Sequence, residues 1–296
     1  MNILITGGTG FIGSALCSRL LDEKSNKIVV LSRHPEKVKS PIKAIADLNT
    51  LVDSDIFDVV VNLAGEPIAN KKWSKKQKHR IFNSRIDITE KLISYFKKSA
   101  YKPKLLISGS AIGYYGIGKT DNVIEEKEYG DNSFSSELCR KWESVALKAE
   151  KLGIRTCLLR TGIVLGKNEG ALSKMLLPFK MGFGGKLGNG QQWMPWIHID
   201  DLVDIILYCI KHDDLKGAVN GTSPSPVTNQ EFTEALGIIL KRPTILPMPA
   251  IVVKLLMGQM GEELLLSGKK VMPQKVLDAG YTFEYKTLEE ALKNVV

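Results

Sequence analysis

Asn2-Ile-Leu-Ile-Thr-Gly-Gly-Thr-Gly-Phe-Ile-Gly13 is a short apolar run that enters a glycine cluster. It continues with apolar residues at Phe11, Ile12, Ala15, Leu16 and Leu20, which is helical spacing. Glycines at 7, 10 and 13 give G-x-x-G-x-x-G. The first permits a tight turn, the second lets a pyrophosphate approach the backbone, and the third packs helix on strand. Exposed amides at the helix N-terminus then hold the phosphate charge. A turn that merely joins strand to helix gives the same letters. Here the strand before the glycines, the helix after them and a second apolar run, Ile28 to Leu31, at the expected distance all agree. The stretch predicts a dinucleotide site built from Gly7, Thr9, Gly10, Phe11, Ile12 and Gly13.

Further apolar runs follow at 42–45, 58–63, 104–107 and 154–159, separated by helical spacing over 74–99 and 135–152. Strands alternating with helices imply right-handed βαβ units and a parallel sheet. The fold class is therefore α/β, a doubly wound Rossmann parallel sheet. After Gly166 the texture becomes loop-rich through Met181 to Gly190, and prolines at 224, 226, 243, 247, 249 and 273 leave only short helices such as 229–240 and 288–292. This predicts a smaller C-terminal α/β cap domain. The expected division is 1–166 with 198–222 for the nucleotide domain, and 167–197 with 223–296 for the cap.

The end of the second strand chooses between nicotinamide nucleotides. An NAD site usually places Asp or Glu about 20 residues beyond the loop, on the ribose 2′-hydroxyl. Here the strand ends Leu31-Ser32-Arg33-His34, with no acid. Ser32 can hydrogen-bond a 2′-phosphate and Arg33 can pair with it, so NADP(H) is the expected cofactor. The plain alternative is that Arg33 is a solvated loop charge.

The chain has 296 residues and a formal charge of +9, enough length for a full core and a balance that admits anionic partners. Its four cysteines are widely spaced, with no Cys-x-x-Cys pair and no zinc-ligand spacing, so no metal is expected and a reducing compartment is the simplest reading. The N-terminus lacks a basic region, apolar core and cleavage site, and no apolar run approaches a spanning helix. A cytoplasmic location without membrane association is the expectation. The densest charge cluster, Lys71 to Arg85, carries no helix-turn-helix, zinc or RNA-binding signature. It reads as a solvated helix face or as attraction for an anionic ligand, and nucleic acid is not the expected partner. Nothing in the sequence signals an oligomeric state.

Joined with Asn62-Leu-Ala-Gly-Glu-Pro67, Ser84-Arg-Ile86, Ser108-Gly-Ser-Ala-Ile-Gly-Tyr-Tyr-Gly116 and Gly184-Gly-Lys-Leu-Gly-Asn-Gly-Gln-Gln-Trp-Met-Pro-Trp-Ile-His-Ile-Asp-Asp-Leu202, the glycine loop resembles that of extended or atypical short-chain dehydrogenase/reductases. More narrowly, the chain is similar to the epimerase-like proteins often labelled nucleoside-diphosphate-sugar epimerase or cell-division-inhibitor-like. The match runs from Met1 to about Leu292, with Val271 to Phe283 and Leu288 to Leu292 fitting that family's terminal domain. The resemblance implies that Leu63, Ala64 and Gly65 line the nucleotide channel and that Arg85 reaches the cofactor from the long helix. It also implies that Ser108, Thr161 and Ile163 border the nicotinamide half.

In that superfamily a Tyr-x-x-x-Lys pair on the helix after the fifth strand supplies the proton, the Lys lowering the Tyr pKa from about 10. Here the matching helix reads Phe134-Ser-Ser-Glu-Leu-Cys-Arg-Lys-Trp-Glu143, with no Tyr-x-x-x-Lys; at the matching positions, Phe134/Leu138 or Ser135/Cys139, neither the phenol nor the amine is found. Ser110 matches the serine that holds the substrate oxygen. Tyr114, Tyr115 and Glu66 are candidates for a displaced acid, and Ser110 with Tyr115 is the expected catalytic pair. Against this, Tyr115 reads more simply as an aromatic packed against the nicotinamide or the cap, and Glu66 equally as a helix cap. Cys139 reads as a small buried hydrophobe, and His198 as a structural tie between cap and nucleotide domain. Trp193 and Trp196 serve either as a substrate wall or as interface filling. Gly184 to Gly190 has the freedom to close over a ligand. The expected function is an NADP(H)-dependent oxidoreductase or epimerase-like protein whose small substrate, a carbonyl compound or nucleotide sugar, lies between the two domains. A non-catalytic NADPH sensor or scaffold is the competing reading, and a nucleic-acid binder using Lys71 to Arg85 is the third.

Overall fold

Ile3 and Ile5 point to one side of their strand and Leu4 to the other, and all three are shielded from water, as a strand covered on both faces requires. The same alternation recurs at Val59, Val60 and Val61. The computed structural model describes residues 1–52, 55–118, 122–167 and 169–296. Its strands are β1 (Asn2–Thr6), β2 (Lys27–Leu31), β3 (Lys43–Ile45), β4 (Val59–Asn62), β5 (Leu105–Ala111), β6 (Val123–Ile124), β7 (Arg155–Thr161), β8 (Ile163–Gly166), β9 (Trp193–Met194), β10 (Trp196–His198), β11 (Gly217–Gly221), β12 (Val227–Thr228) and β13 (Lys270–Val271). Its helices are α1 (Phe11–Leu21), α2 (Lys75–Lys98), α3 (Phe134–Ala146), α4 (Gly170–Lys180), α5 (Ile199–Lys211), α6 (Asn229–Leu240), α7 (Ala250–Met257), α8 (Gln259–Leu264), α9 (Gln274–Asp278) and α10 (Leu288–Val295).

Among the described residues, one sheet runs β11-β7-β5-β4-β1-β2-β3, and every neighbouring pair in it is parallel. Leu16 and Leu20 of α1 with Leu202 and Ile206 of α5 cover one face, while Leu92, Ile93 and Phe96 of α2 with Trp142 and Val145 of α3 cover the other. The doubly wound Rossmann-like sheet is as expected. Strand order reverses between β1 and β4, which opens a crevice at their C-terminal ends, where such sheets bind ligands.

The weak run at 42–45 does pair, as β3 against β2. The helix expected over 135–152 ends at Ala146; residues 147–152 tighten into 3-10 turns and stop at Gly153, whose φ of 76° suits a residue without Cβ. Past β7, the chain folds α4, α6 and α10 around Leu165 and Trp196, and it returns β13 to pair with β6. No helix among the described residues is long and apolar enough to cross a membrane.

Candidate functional site

Gly7 takes φ 72° at the turn out of β1, and a Cβ there would sit 2.7 Å from the Leu63 carbonyl. Gly10 N–H bonds Gly7 O at 2.9 Å, and a Cβ on Gly13 would lie 2.2 Å from that same oxygen. The three glycines therefore let β1, the turn and α1 close to backbone contact. The first turn of α1 has no side-chain cap and no acidic residue, whereas α2, α3, α5, α6 and α10 are capped by Ser74, Ser133, His198, Thr228 and Thr287. With Thr9 and Gly10 exposed and Phe11 and Ile12 half-buried beside them, the start of α1 faces the crevice with its amides available to an anion. This cradle fits a pyrophosphate.

Leu63 and Ala64 form the opposite wall. Leu63 N–H donates to Thr6 O at 3.1 Å, and Ala64 N–H to Thr6 Oγ1 at 3.2 Å. Thr6 Oγ1 donates to Asn62 Oδ1 at 2.6 Å, and Asn62 Nδ2 donates to Thr89 Oγ1 at 2.9 Å. Thr89 Oγ1 also accepts from Trp142 Nε1 at 3.1 Å and donates to Arg85 O at 2.6 Å, so its donor and both lone pairs are occupied. This buried chain ties β1, β4, α2 and α3 together beneath the crevice. Thr89 and Trp142 escaped the sequence reading because neither lies in a recognisable motif.

At the end of β2, Ser32 N–H closes on Ile45 O at 3.0 Å, and Ser32 Oγ accepts from His34 N–H at 3.0 Å. Arg33 is exposed and makes no hydrogen bond or ion pair among the described residues, while Glu36, three residues on, faces His34 at 3.2 Å. At the other end, Arg85 Nη1 donates to Glu66 O at 3.0 Å and Ile81 O at 3.1 Å, with its guanidinium 5.3 Å over the Trp142 ring. A Cβ on Gly65 would come within 2.9 Å of Arg85 Cζ, so this glycine gives the guanidinium its place. Burial lowers the Arg85 pKa from its ordinary value. Ser108 is buried in the middle of β5, opposite Asn62 at the end of β4. Thr161 and Ile163 are half-buried at the β7–β8 junction, where Ile163 N–H bonds Pro195 O at 2.8 Å.

The two side chains read as a catalytic pair have other partners. Ser110 Oγ donates to Glu143 Oε1 at 2.6 Å, and that carboxylate holds the Arg160 guanidinium by a fork of 2.8 and 2.9 Å. Arg160 Nη1 donates to Tyr115 Oη at 3.0 Å, and Tyr115 Oη donates to Asn220 Oδ1 at 2.6 Å. Tyr115 is 1% exposed. Burial pushes its phenol up to about 12, against the opposing pull of Arg160. A phenol so placed and so weakly acidic is a structural strut between β7 and β11, which revises its expected role as proton donor.

Other candidates resolve similarly. Glu66 does not cap α2; Ser74 does, while Glu66 lies 3.5 Å from Arg80 and donates its N–H to Ser84 Oγ. Burial raises the Cys139 thiol to about 11. His198 is buried, stacks on Tyr285 at 3.7 Å, caps α5 by accepting Asp200 N–H on Nδ1, and meets Asn294 through Nε2. Desolvation lowers its pKa from the ordinary imidazole value, which suits the neutral tie expected of it. Trp196 fills the interior and donates to Ser225 O at 2.8 Å, and the Trp193 ring lies 4.8 Å from Lys270 Nζ. The 184–190 loop is stitched to its neighbours by Met248 N–H to Lys186 O and Gly188 N–H to Met248 O, both 2.9 Å. Of the basic cluster, Lys78 meets Gln259, Arg80 meets Glu66 and Arg85 is turned inward.

One contact had no sequence signal. Glu263 of α8 accepts from Ser135 Oγ at 2.6 Å, Ser135 N–H at 2.9 Å and Phe134 N–H at 3.3 Å, at the start of the helix where the expected phenol is missing.

Residues 3–220 match the NAD dependent epimerase/dehydratase family, and residues 248–295 match a domain of unknown function, DUF1731. An Arabidopsis thaliana protein described as epimerase family protein SDR39U1 homolog, chloroplastic, is 39% identical over 306 residues, covering 100% of this chain and 87% of that protein. The human epimerase family protein SDR39U1 is 36% identical, with 100% of both chains covered. The crystal structure of human SDR39U1 (isoform 2) with NADPH superposes with a TM-score of 0.88 at 33% identity, covering 100% of this chain and 99% of that one.

Proposed function

The chain belongs to the NAD dependent epimerase/dehydratase family, and from that premise we propose that it is an NADP(H)-dependent oxidoreductase or epimerase-like protein acting on a small carbonyl compound or nucleotide sugar. The observation that carries this reading is the uncapped start of α1, with Gly7, Gly10 and Gly13 closing backbone on backbone in the crevice between β1 and β4. The amides of this turn bind the pyrophosphate. Ser32 and Arg33 take the 2′-phosphate, where an unpaired guanidinium at a strand end that carries no acid favours NADP(H) over NAD(H). Leu63, Ala64 and Gly65 wall the channel, and Arg85, Ser108, Thr161 and Ile163 surround its nicotinamide end.

When bound, the nicotinamide supplies a hydride to an electrophilic carbon or takes one from it. The chain's own residues exclude water from beneath that end, through the Thr6–Asn62–Thr89–Trp142 chain, and fix α3 against β5. Titrating NADPH into the protein while following its fluorescence tests the cofactor assignment; saturable binding, displaced by NADP⁺, is expected.

A second reading, an NADPH-binding sensor without turnover, is favoured by the engagement of Ser110 and Tyr115 inside the Glu143–Arg160 network. Following NADPH absorbance across carbonyl and nucleotide-sugar panels separates the two, because substrate-dependent oxidation is expected of the enzyme alone.

A further inference from the structure

We propose that the chain beyond β8 carries a docking face for an anionic lipid surface, formed by the end of α4, the segment 241–248 and the exposed side of α7. Ten of the eighteen large hydrophobic side chains exposed among the described residues fall within 177–183 and 238–256. Single exposed apolar residues are ordinary, but such a concentration marks a contact surface. Helix α7 shows it most plainly. It reads Ala250-Ile-Val-Val-Lys-Leu-Leu-Met257, with Lys254 its only polar side chain, and a helix apolar all round is normally buried. Val253 does face the interior, whereas Ile251 and Leu255, one turn apart, are 68 and 76% exposed.

The loop after α4 brings the other members beside α7. Phe183 N–H bonds Pro178 O at 2.9 Å, which turns the chain back at the end of α4, where Leu177 and Met181 are also exposed. Leu246 N–H reaches Gly184 O at 3.4 Å and Met248 N–H reaches Lys186 O at 2.9 Å, so 184–186 runs alongside 246–248, with exposed Phe183 and Ile245 at the end of that pairing. A Cβ on Gly188 would lie 3.7 Å from Ala250 Cβ, at the start of α7. On the other side, a Cβ on Gly237 would meet Thr244 Cγ2 at 2.4 Å, so the turn after α6 folds back on that helix. Ile238 there lines one open depression with Lys241, Arg242 and Thr244.

Charge identifies the occupant. The stretches 170–199 and 235–261 contain no Asp or Glu, and together they carry Lys174, Lys180, Lys186, Lys241, Arg242 and Lys254. Lys254 pairs with Glu262 at 2.8 Å, and Lys174 is held by Ala69 O and Asn70 Oδ1. Lys180, Lys241 and Arg242 are exposed and form no ion pair among the described residues, and the acid that lines the depression, Glu234, accepts from Gln230 Nε2 at 3.0 Å. A second copy meeting this face across a two-fold axis would set these cations against themselves. Protein partners are gripped chiefly by Trp, Tyr and Arg, whereas the exposed apolar set here is Ile, Leu and Met with a single Phe. Aliphatic side chains entering the acyl boundary, with cations at the headgroups, suit an anionic bilayer. The expectation of no membrane association rests on the lack of a spanning run, and a face that lies on the surface needs none.

Co-sedimentation of the full chain with vesicles of phosphatidylcholine alone, or of phosphatidylcholine with phosphatidylglycerol, tests this at low and high salt. Binding to the anionic vesicles is expected to be at least about tenfold tighter than to phosphatidylcholine alone and to weaken as salt rises. Ile251→Ser with Leu255→Ser, and separately Lys241→Glu with Arg242→Glu, are each expected to weaken it by about tenfold or more. All four side chains are exposed, so both double variants are expected to keep the wild-type Tm. Equal binding to the two vesicle types, no binding to either, or anionic binding that either folded double variant retains in full overturns the proposal. Self-association that the Ile251→Ser, Leu255→Ser protein loses, without vesicle binding, would give the face to a second copy. Binding to polyglutamate that the Lys241→Glu, Arg242→Glu protein loses, again without vesicle binding, would give it to an acidic protein, and either result overturns the lipid assignment.

Discussion

Ser110 Oγ donates a 2.6 Å hydrogen bond to Glu143 Oε1, and Glu143 is 5% exposed with both its oxygens bonded to Arg160. A serine at the end of a central strand, placed where a substrate oxygen is expected, is thereby committed to the protein's own charge network. Such a network is strongly asymmetric in energy: complete it is close to neutral, while losing one charged member leaves the other buried and unpaired.

Glu143→Ala is therefore expected to destabilise the fold by about 3–5 kcal/mol, because it strands the buried Arg160 guanidinium of β7 without its carboxylate. Ser110→Ala removes one hydrogen bond to a charged group and should cost less, about 1.5–3 kcal/mol. Urea unfolding of both variants checks the order. A Glu143→Ala protein as stable as wild type would mean that water reaches Arg160.

Tyr115 gives the network a pH signature. Its phenol titrates at about 12 in the folded protein and at about 10 when unfolded. Above pH 10 the unfolded chain releases this proton before the folded one does, so stability is intact below pH 10 and declines as pH rises towards 12, by on the order of 2–3 kcal/mol. Tyr115→Phe is less stable at neutral pH, having left Asn220 Oδ1 without its donor, but it has no phenol to lose. Urea midpoints measured from pH 8 to 12 should show the gap between the two proteins closing over the last two units.

What the sequence disclosed and what it withheld follow from the range of each interaction. The β1–α1 turn was legible because Gly10 and Gly13 close on Gly7, within six residues, although Gly7 itself meets the distant Leu63, and the alternation of strand and helix implied a parallel sheet. The Ser135–Glu263 contact spans 128 residues, and Asn62–Thr89 spans 27. No local pattern encodes such pairings. The roles expected for Tyr115 and Glu66 rested on their place in the chain after β5 and β4, and this says nothing of Asn220 or Arg80, which the fold brings to them. The 184–190 loop was legible as glycine-rich, but only the fold reveals the 246–248 strand-like segment that pins it.

Gly13→Ala probes the cradle. The added methyl would meet Gly7 O at 2.2 Å, so either α1 shifts away from the turn or the turn opens. Both outcomes spread the amides that would face the pyrophosphate. The variant is expected to lose more than about 1 kcal/mol of stability, since its backbone contact has no room to adjust. NADPH affinity should fall by more than about tenfold, about 1.4 kcal/mol, in a fluorescence titration. Gly118→Ala, where a Cβ would meet nothing within 4 Å, is the matched control for substituting a surface glycine, with only its φ of 104° to strain.

Arg33 carries the choice between the two nicotinamide nucleotides. It is exposed, it has no partner among the described residues, and the nearby Glu36 is engaged by His34, so its charge is available to a 2′-phosphate. A charge-assisted contact of this kind in partial solvent is worth about five- to tenfold in affinity, less than a buried one because water and ions screen it. NADPH should thus bind more tightly than NADH. Arg33→Ala should weaken NADPH by that factor and leave NADH unchanged, since the latter has no 2′-phosphate to lose. Raising the ionic strength from 0.01 to 0.15 M shortens the screening length from about 30 to about 8 Å and should narrow the wild-type preference without abolishing it. Equal dissociation constants for the two nucleotides at low salt would remove Arg33 from the site and leave the crevice without a basis for preferring NADP(H).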